Sequence, residues 1–271
     1  MTAVRLEFTV LGSGSSGGVP RADGNWGACD PADPRNYRTR CSLLVRRLGQ
    51  GGGEPQTTVV VDTSPEFRQQ MVAAGARRLD AVLLTHDHAD QCHGLDDIRA
   101  FAINQRARIP CWADEPTTLT LKRRFGYMFE GAGLYPAIGE LRGLPAHGEA
   151  FALDGPSGQV PVVTFDQDHG PIRSVGYRFG GLAYSSDVVN LPESAFGALR
   201  DLDVWIVDAL RYQPHPTHAH LEKTLAWIER VRPRRAILTN MHIDLDYAEL
   251  TAKLPANVEA AFDGLRLEIV L

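Results

Sequence analysis

The residues best suited to chemistry lie in one run, Leu84-Thr85-His86-Asp87-His88-Ala89-Asp90-Gln91-Cys92-His93-Gly94. In extended backbone, side chains two residues apart point the same way. His86, His88 and, if the chain stays extended, Asp90 therefore converge on one point. Two neutral imidazoles and an anionic oxygen make a ligand set for a borderline metal ion. The competing reading is a polar surface loop that happens to carry histidines. Against it stand three further places where polar residues directly follow an apolar run. Residues 162–165 lead into Asp168-His169-Gly170, 182–184 into Ser185-Ser186-Asp187, and 237–239 into Asn240-Met241-His242. Singly, His169 reads as a structural or surface histidine and Asp187 as a turn residue. Together they read as one site assembled at the ends of strands.

Such a site needs strands to deliver it. Residues 5–11 alternate as a strand before the Gly-rich loop 12–20. Two β-rich runs, 41–47 and 57–62, joined by the Gly-rich segment 49–53, predict a hairpin. Ser64-Pro65-Glu66 offers a serine cap, a proline at the first helical position and an acid in the first turn. The helix it opens has Phe67, Met71 and Ala74 on one face. Residues 81–85 form a short buried strand ending on His86. Helices are expected at 95–104, 116–125, 219–231 and near 246–253. Strands are expected at 160–166, 173–179, 182–185, 204–208, 236–239 and near 266–271. Each half runs strands first and then strand–helix alternation. Two such halves pack sheet on sheet with helices on both outer faces. The expected class is α/β, a four-layer αββα sandwich of two mixed sheets, with residues 1–271 as one domain.

The bulk numbers agree with an ordinary globular protein: 271 residues, 44% hydrophobic and 23% charged, enough to bury a sizeable core. A net charge of −5 disfavours long nucleic acid as a partner. The four cysteines form no CxxC pair, which favours a reducing compartment, with a Cys29–Cys41 bridge left open. The N-terminus enters strand-like alternation without a charged or apolar leader, and no apolar run approaches the ~20 residues of a bilayer span. A cytoplasmic protein with no membrane partner is expected.

The ordered motifs, HxHxD at 86–90, His169, Asp187 and Thr239-Asn240, resemble those of the metallo-β-lactamase superfamily. The resemblance covers nearly the whole chain, including the opening LGSGSSGGVP and Val61-Asp62-Thr63-Ser64-Pro65. Within the superfamily the chain is most similar to the phosphodiesterase branch acting on phosphoribosyl cyclic phosphate in phosphonate breakdown. That branch shares a histidine upstream of the last metal motif, and His218, 22 residues before Asn240, matches it. The resemblance implies a metal-dependent hydrolase of αββα metallo-β-lactamase fold. Its ion would be held by His86, His88, His169 and Asp187. Asp90 would orient water, accept its proton or ligate a second ion, and His218 would be a catalytic group.

The departures fall on the second metal. The family usually writes HxHxDH, whereas position 91 is Gln. It usually places His directly after the last Thr, where this chain has Asn240, with His242 two residues on. Gln91, Asn240 and His242 are thus the possible second-metal or replacement ligands. Amide oxygens are neutral, hard donors. One firmly bound Zn²⁺ or Mn²⁺ is therefore expected, with the second site weak or empty. The branch's N-terminal cysteine cluster, which holds a structural zinc, is reduced to Cys29, so no such zinc is expected.

The leading reaction is attack of a metal-bound hydroxide on a small (cyclic) phosphodiester. A homodimer stays open. Three alternatives remain: hydrolysis of a lactone, thioester or β-lactam; tRNA 3′-processing; and a non-hydrolytic role like that of the pyrroloquinoline quinone biosynthesis B protein, whose Ser-Pro-acid-x-Arg-Gln flavour recurs at 64–69. Gly12-Ser13-Gly14-Ser15-Ser16-Gly17 matches GxGxxG, but Val19-Pro20 denies the helix a dinucleotide site requires. Thr217 is a plausible N-cap that would set His218 at the positive end of helix 219–231. His93, His147, His215 and His220 read as structural or surface residues, and Arg38 and Arg40 as ordinary exposed arginines.

Overall fold

Alternation in the N-terminal strands sorts their side chains between two cores. The computed structural model describes residues 4–49 and 56–271. It places β1 at Arg5–Gly12, β2 at Ser42–Arg47 and β3 at Thr57–Val61. Leu43, Val45, Val59 and Val61 face one core, and Leu44 and Val60 face the other, as a period of two requires. β2 and β3 pair antiparallel, as the hairpin reading expects. Most of the tip proposed at 49–53 lies outside the described residues.

The first half continues through α1 (Phe67–Ala73), β4 (Ala81–Leu83), α2 (Ala89–Cys92), α3 (Arg99–Gln105), β5 (Ile109–Ala113), α4 (Glu115–Glu130) and β6 (Gly139–Gly143). The second half holds β7 (Ala150–Leu153), β8 (Val160–His169), β9 (Ile172–Phe179), β10 (Leu182–Ser185), α5 (Glu193–Ala198) and β11 (Val204–Asp208). It ends with α6 (Leu221–Val231), β12 (Arg235–Thr239), α7 (Tyr247–Thr251), β13 (Val258–Ala260) and β14 (Arg266–Val270). One seven-stranded sheet has the order β14-β1-β2-β3-β4-β5-β6, the other β13-β12-β11-β10-β9-β8-β7. Each joins an antiparallel ladder to a parallel one: β3 to β6 run parallel in the first sheet, β10 to β13 in the second.

Leu6, Phe8 and Val10 meet Tyr177, Phe179 and Tyr184 in the core that contains the facing sheet surfaces. Phe67, Met71, Ile98 and Leu121 cover the outer face of the first sheet. These layers are the αββα sandwich expected from the sequence.

Several local expectations shift. The helix expected after Ser64 begins at Phe67, because Ser64 Oγ accepts from Glu66 N at 3.2 Å in a turn that precedes it. The stretch 95–104 is divided into a 3₁₀ turn, Leu95–Ile98, and α3. The helix expected at 116–125 runs on to Glu130 across non-helical backbone at Phe125. Helix 219–231 begins only at Leu221, with His220 as its N-cap. Thr217 is therefore not the cap, and His218 sits in the preceding loop rather than at a helix terminus. β5, β6, β7 and β13 escaped the sequence reading, being short and, in β6, half-exposed.

Candidate metal centre

The C-terminal ends of strands from both sheets meet at one edge. β4 runs out through Leu84 and Thr85 onto His86, β8 ends on His169, β10 is followed by Asp187, β11 ends on Asp208 and β12 precedes Asn240. Val175 N donates to Thr85 O at 2.9 Å, which ties the first sheet to the second beneath the site.

His86, His88 and His169 form an edge-to-face triangle with ring centroids 4.5, 4.9 and 5.1 Å apart. Their hydrogen bonds leave nitrogens facing inward. His86 Nδ1 lies 3.0 Å from Thr85 Oγ1, which in turn lies 2.9 and 3.1 Å from the oxygens of Asp62. Burial pushes the Asp62 carboxyl well up, and the Thr85 hydrogen bonds oppose that; with Thr85 N donating to Oδ1 at 2.8 Å and the hydroxyl proton also directed at Asp62, the hydroxyl oxygen is left to accept from His86 Nδ1–H. The lone pair is then on Nε2, which is buried and has no partner among the described residues. His169 Nδ1 donates to Thr217 O at 2.8 Å, freeing its Nε2. That Nε2 lies 3.3 Å from His88 Nδ1. Two bonds of about 2.0–2.1 Å meeting at a tetrahedral angle span about 3.3–3.4 Å, so the pair is spaced to share one ion. Burial first, then the neighbouring imidazoles, hold His86 well below the ordinary histidine range. The ring is thus kept neutral and able to ligate.

Asp187 is buried, in left-handed backbone at φ 54°. It groups with His169 and His218, ligand atoms of all three lying within 4.8 Å of one another. The structure thus gathers the three imidazoles into one group suited to a divalent ion, and Asp187 joins it through His169 alone.

The remaining predicted residues are placed less simply. Helix begins at Ala89, so Asp90 does not continue the extended run; it lies in α2, 3.3 Å from Gln91 Nε2. Burial, and then Asp187, raise its carboxyl above the usual range. Gln91 is fully buried, and its Nε2 also donates to Asp187 Oδ2 at 3.1 Å. Asn240 takes left-handed backbone at φ 61° and brings its amide within 3.1 Å of His218 Nδ1. The side-chain oxygens of Gln91 and Asn240 are buried without partners among the described residues. His242 is not gathered into either ligand group; it lies beside Asp244 and Arg21.

Sequence reasoning missed Asp208 and the part Asp62 plays. Asp208 is fully buried at the end of β11, and its Oδ2 lies 2.9 Å from His218 Nδ1. Burial works against charge on His218, but Asp208, with Asp187 and Asp90 behind it, outweighs it and lifts the imidazole to about 9. The apolar run Val204-Trp205-Ile206-Val207 before Asp208 carried the same signal as the other motifs. Arg38 is buried and structural, donating to Leu245 O at 2.7 Å, and Arg40 pairs with Glu66 at 2.6 Å. The glycine loop is a close-packed backbone turn: a Cβ on Gly12 would lie 1.9 Å from Arg40 O.

Residues 57–243 match the β-lactamase superfamily domain. The chain belongs to the metallo-β-lactamase superfamily. A crystal structure described as a new diphosphatase from the PhnP family is 35% identical over 99% of both chains, with a TM-score of 0.85. This places the chain in the PhnP-like branch. Zinc-bound PqqB from Methylobacterium extorquens is 19% identical over 96% of this chain and 99% of its own, with a TM-score of 0.72, a likeness of fold. An octanoyltransferase of Porphyromonas gingivalis is 29% identical over 96% of this chain but only 51% of its own length. The chain thus spans about half of that curated relative. Within this superfamily, the His/Asp cluster at the edge of the sandwich is that of a metal-dependent hydrolase.

Proposed function

We propose that this protein is a metal-dependent phosphodiesterase acting on a small phosphodiester or phosphoanhydride. The observation that carries the reading is His218, clamped by buried Asp208 one ring away from His169, their centroids 4.7 Å apart. A cationic imidazole beside the histidine triangle suits the charge of a phosphoryl group better than the carbonyl of a lactone or thioester. The similarity to a diphosphatase of the PhnP family supports the same choice.

His86, His88, His169 and Asp187 would hold a divalent ion, which would supply Lewis acidity and lower the pKa of water. Asp62, through Thr85, fixes the His86 tautomer, and Thr217 O fixes that of His169. Asp90, its carboxyl pushed up by burial and by Asp187, is the group we assign to take up a proton. His218 donates a hydrogen bond to the phosphoryl oxygens or a proton to the leaving oxygen, a contribution of about 10²–10⁴-fold.

The donor set favours one firmly held ion, zinc or manganese. A second position beside Asp187 and Asp90 meets the amides of Gln91 and Asn240, and its nearest added imidazole, His218, is drawn to Asp208; oxygen donors of this kind suit harder ions held weakly. Hydrolysis of bis(p-nitrophenyl) phosphate tests the reading. His218→Ala is expected to lower turnover at least about 100-fold with metal content unchanged. Equal turnover in the variant removes His218 from the reaction.

A further inference from the structure

Two histidines of the triangle are braced through a ring nitrogen by a group outside it: His86 by Thr85 Oγ1 at 3.0 Å and His169 by Thr217 O at 2.8 Å. His88 has no such brace among the described residues. Its ring contact is Nδ1 with His169 Nε2, 3.3 Å away inside the triangle. Its direction must therefore come from its backbone. The planar peptide between Asp87 and His88 decides where the His88 Cα–Cβ bond points. The segment is tied down at its far end, where Thr63 N donates to Gln91 O at 2.8 Å and Gly94 N to Thr63 O at 2.9 Å. Among the described residues no backbone N–H reaches the Asp87 carbonyl in between. Two side chains hold it instead: Arg124 Nη1 donates to Asp87 O at 2.5 Å, and Cys92 Sγ at 3.4 Å. Arg124 Nη1 also donates to Cys92 Sγ at 3.7 Å, which closes a ring of three contacts. A thiol is a weak donor, so the charged guanidinium is the stronger of the two.

Arg124 reaches this loop from α4, where Phe125 leaves helical backbone at φ −127° and ψ 25°. Phe125 in turn stands edge-on to His93, ring centroids 6.1 Å apart. The bend of α4 thus meets the loop on either side of α2. Arg124 is exposed and makes no ion pair among the described residues. Its charge is committed to a main-chain carbonyl.

We propose that Arg124 is a positioning residue of the metal centre, acting on His88 through the Asp87 carbonyl. It does for His88, by way of the main chain, what Thr85 and Thr217 do directly for the other two rings. Without the guanidinium the 87–88 peptide is free to turn, and His88 no longer stays directed at the point His86 and His169 share.

This inference rests on the histidine metal centre and not on the substrate proposed above, and its test separates Arg124 from the centre. Zinc affinity of the full chain is measured by competition against a chromophoric chelator, and the urea midpoint of the metal-free protein alongside it. Arg124→Met keeps an unbranched stem and removes the donors, whereas Arg124→Lys restores one charged donor. Arg124→Met is expected to weaken zinc binding about tenfold, as loss of an outer contact does, with the urea midpoint unchanged because the side chain is exposed. Arg124→Lys is expected to recover the affinity to within about threefold. Affinity in Arg124→Met within about twofold of the unmodified protein overturns the role. An equal loss in Arg124→Lys, or a loss matched by a lower urea midpoint, overturns it as well and leaves Arg124 a residue of α4 stability. Failure of the unmodified protein to bind zinc would refute the metal centre itself.

Discussion

Thr85→Val tests whether the histidine triangle is built for a metal from behind. The valine keeps the shape of the side chain and removes the hydroxyl that joins Asp62 to His86 Nδ1 at 2.9 and 3.0 Å. Two buried groups then lose a partner: the His86 Nδ1–H loses its acceptor, and Asp62 keeps only the Thr85 N–H at 2.8 Å. Each such loss costs about 1–3 kcal/mol, so the metal-free protein should be measurably less stable in urea. The sharper effect is on the ion. Without the Thr85 oxygen nothing directs the proton to Nδ1, and the Nε2 lone pair is no longer guaranteed. Loss of such an outer contact lowers metal affinity about 10–100-fold, which is about 1.4–2.7 kcal/mol. Competition against a chromophoric chelator measures it directly. Thr85→Ser, which restores the hydroxyl, should recover most of the affinity. Zinc affinity in Thr85→Val within twofold of the unmodified protein would refute the tautomer argument.

Two further outcomes follow from the site. Zinc should analyse near one equivalent per chain, with manganese raising activity, and Gln91→His with Asn240→His should move tight zinc towards two; two firmly bound zinc ions in the unmodified protein would sink the amide argument. The protonated form of His218 prevails below about 9 and is lost as pH rises through it, so diester hydrolysis should fall on the alkaline side there. Asp208→Asn removes the strongest influence raising that group and leaves burial, which lowers it. The alkaline limb should move down by at least ~1 pH unit, and an unmoved limb in the pH–rate profile would show that His218 is not the titrating acid.

The histidines of the candidate centre were legible in the sequence because they lie at or just beyond the ends of apolar strands, and a strand end is a place the sheet itself positions. His86 and His88 needed only that rule; His169 and Asp187 were assigned to the same ion through the resemblance, and the structure brings His169 to them. The two-sheet sandwich was legible for a similar reason: Leu43, Val45, Val59 and Val61 alternate with Leu44 and Val60, and a period of two assigns faces without knowledge of the partner. Helix starts were read less well. Thr217 and Ser64 have the chemistry of caps, yet the local turns that use Ser64 and leave His220 at the N-cap lie beyond any single residue's preference.

What only the tertiary structure decided is which polar group faces which across long separations. Asp208 is 10 residues from His218, Asp62 is 23 from Thr85, and Gln91 is 96 from Asp187. Parallel pairing sets Asp208 beside Thr239, so the end of β11 arrives next to Asn240 and His218. The pairing of Arg21 with His242 spans 221 residues and depends on the Gly-rich loop being pinned to Met241. A sequence specifies donors, acceptors and charges one at a time. Their partners, and with them the tautomer of His86 and the charge of His218, exist only once two sheets have closed around a site and excluded the water that would otherwise satisfy every group equally.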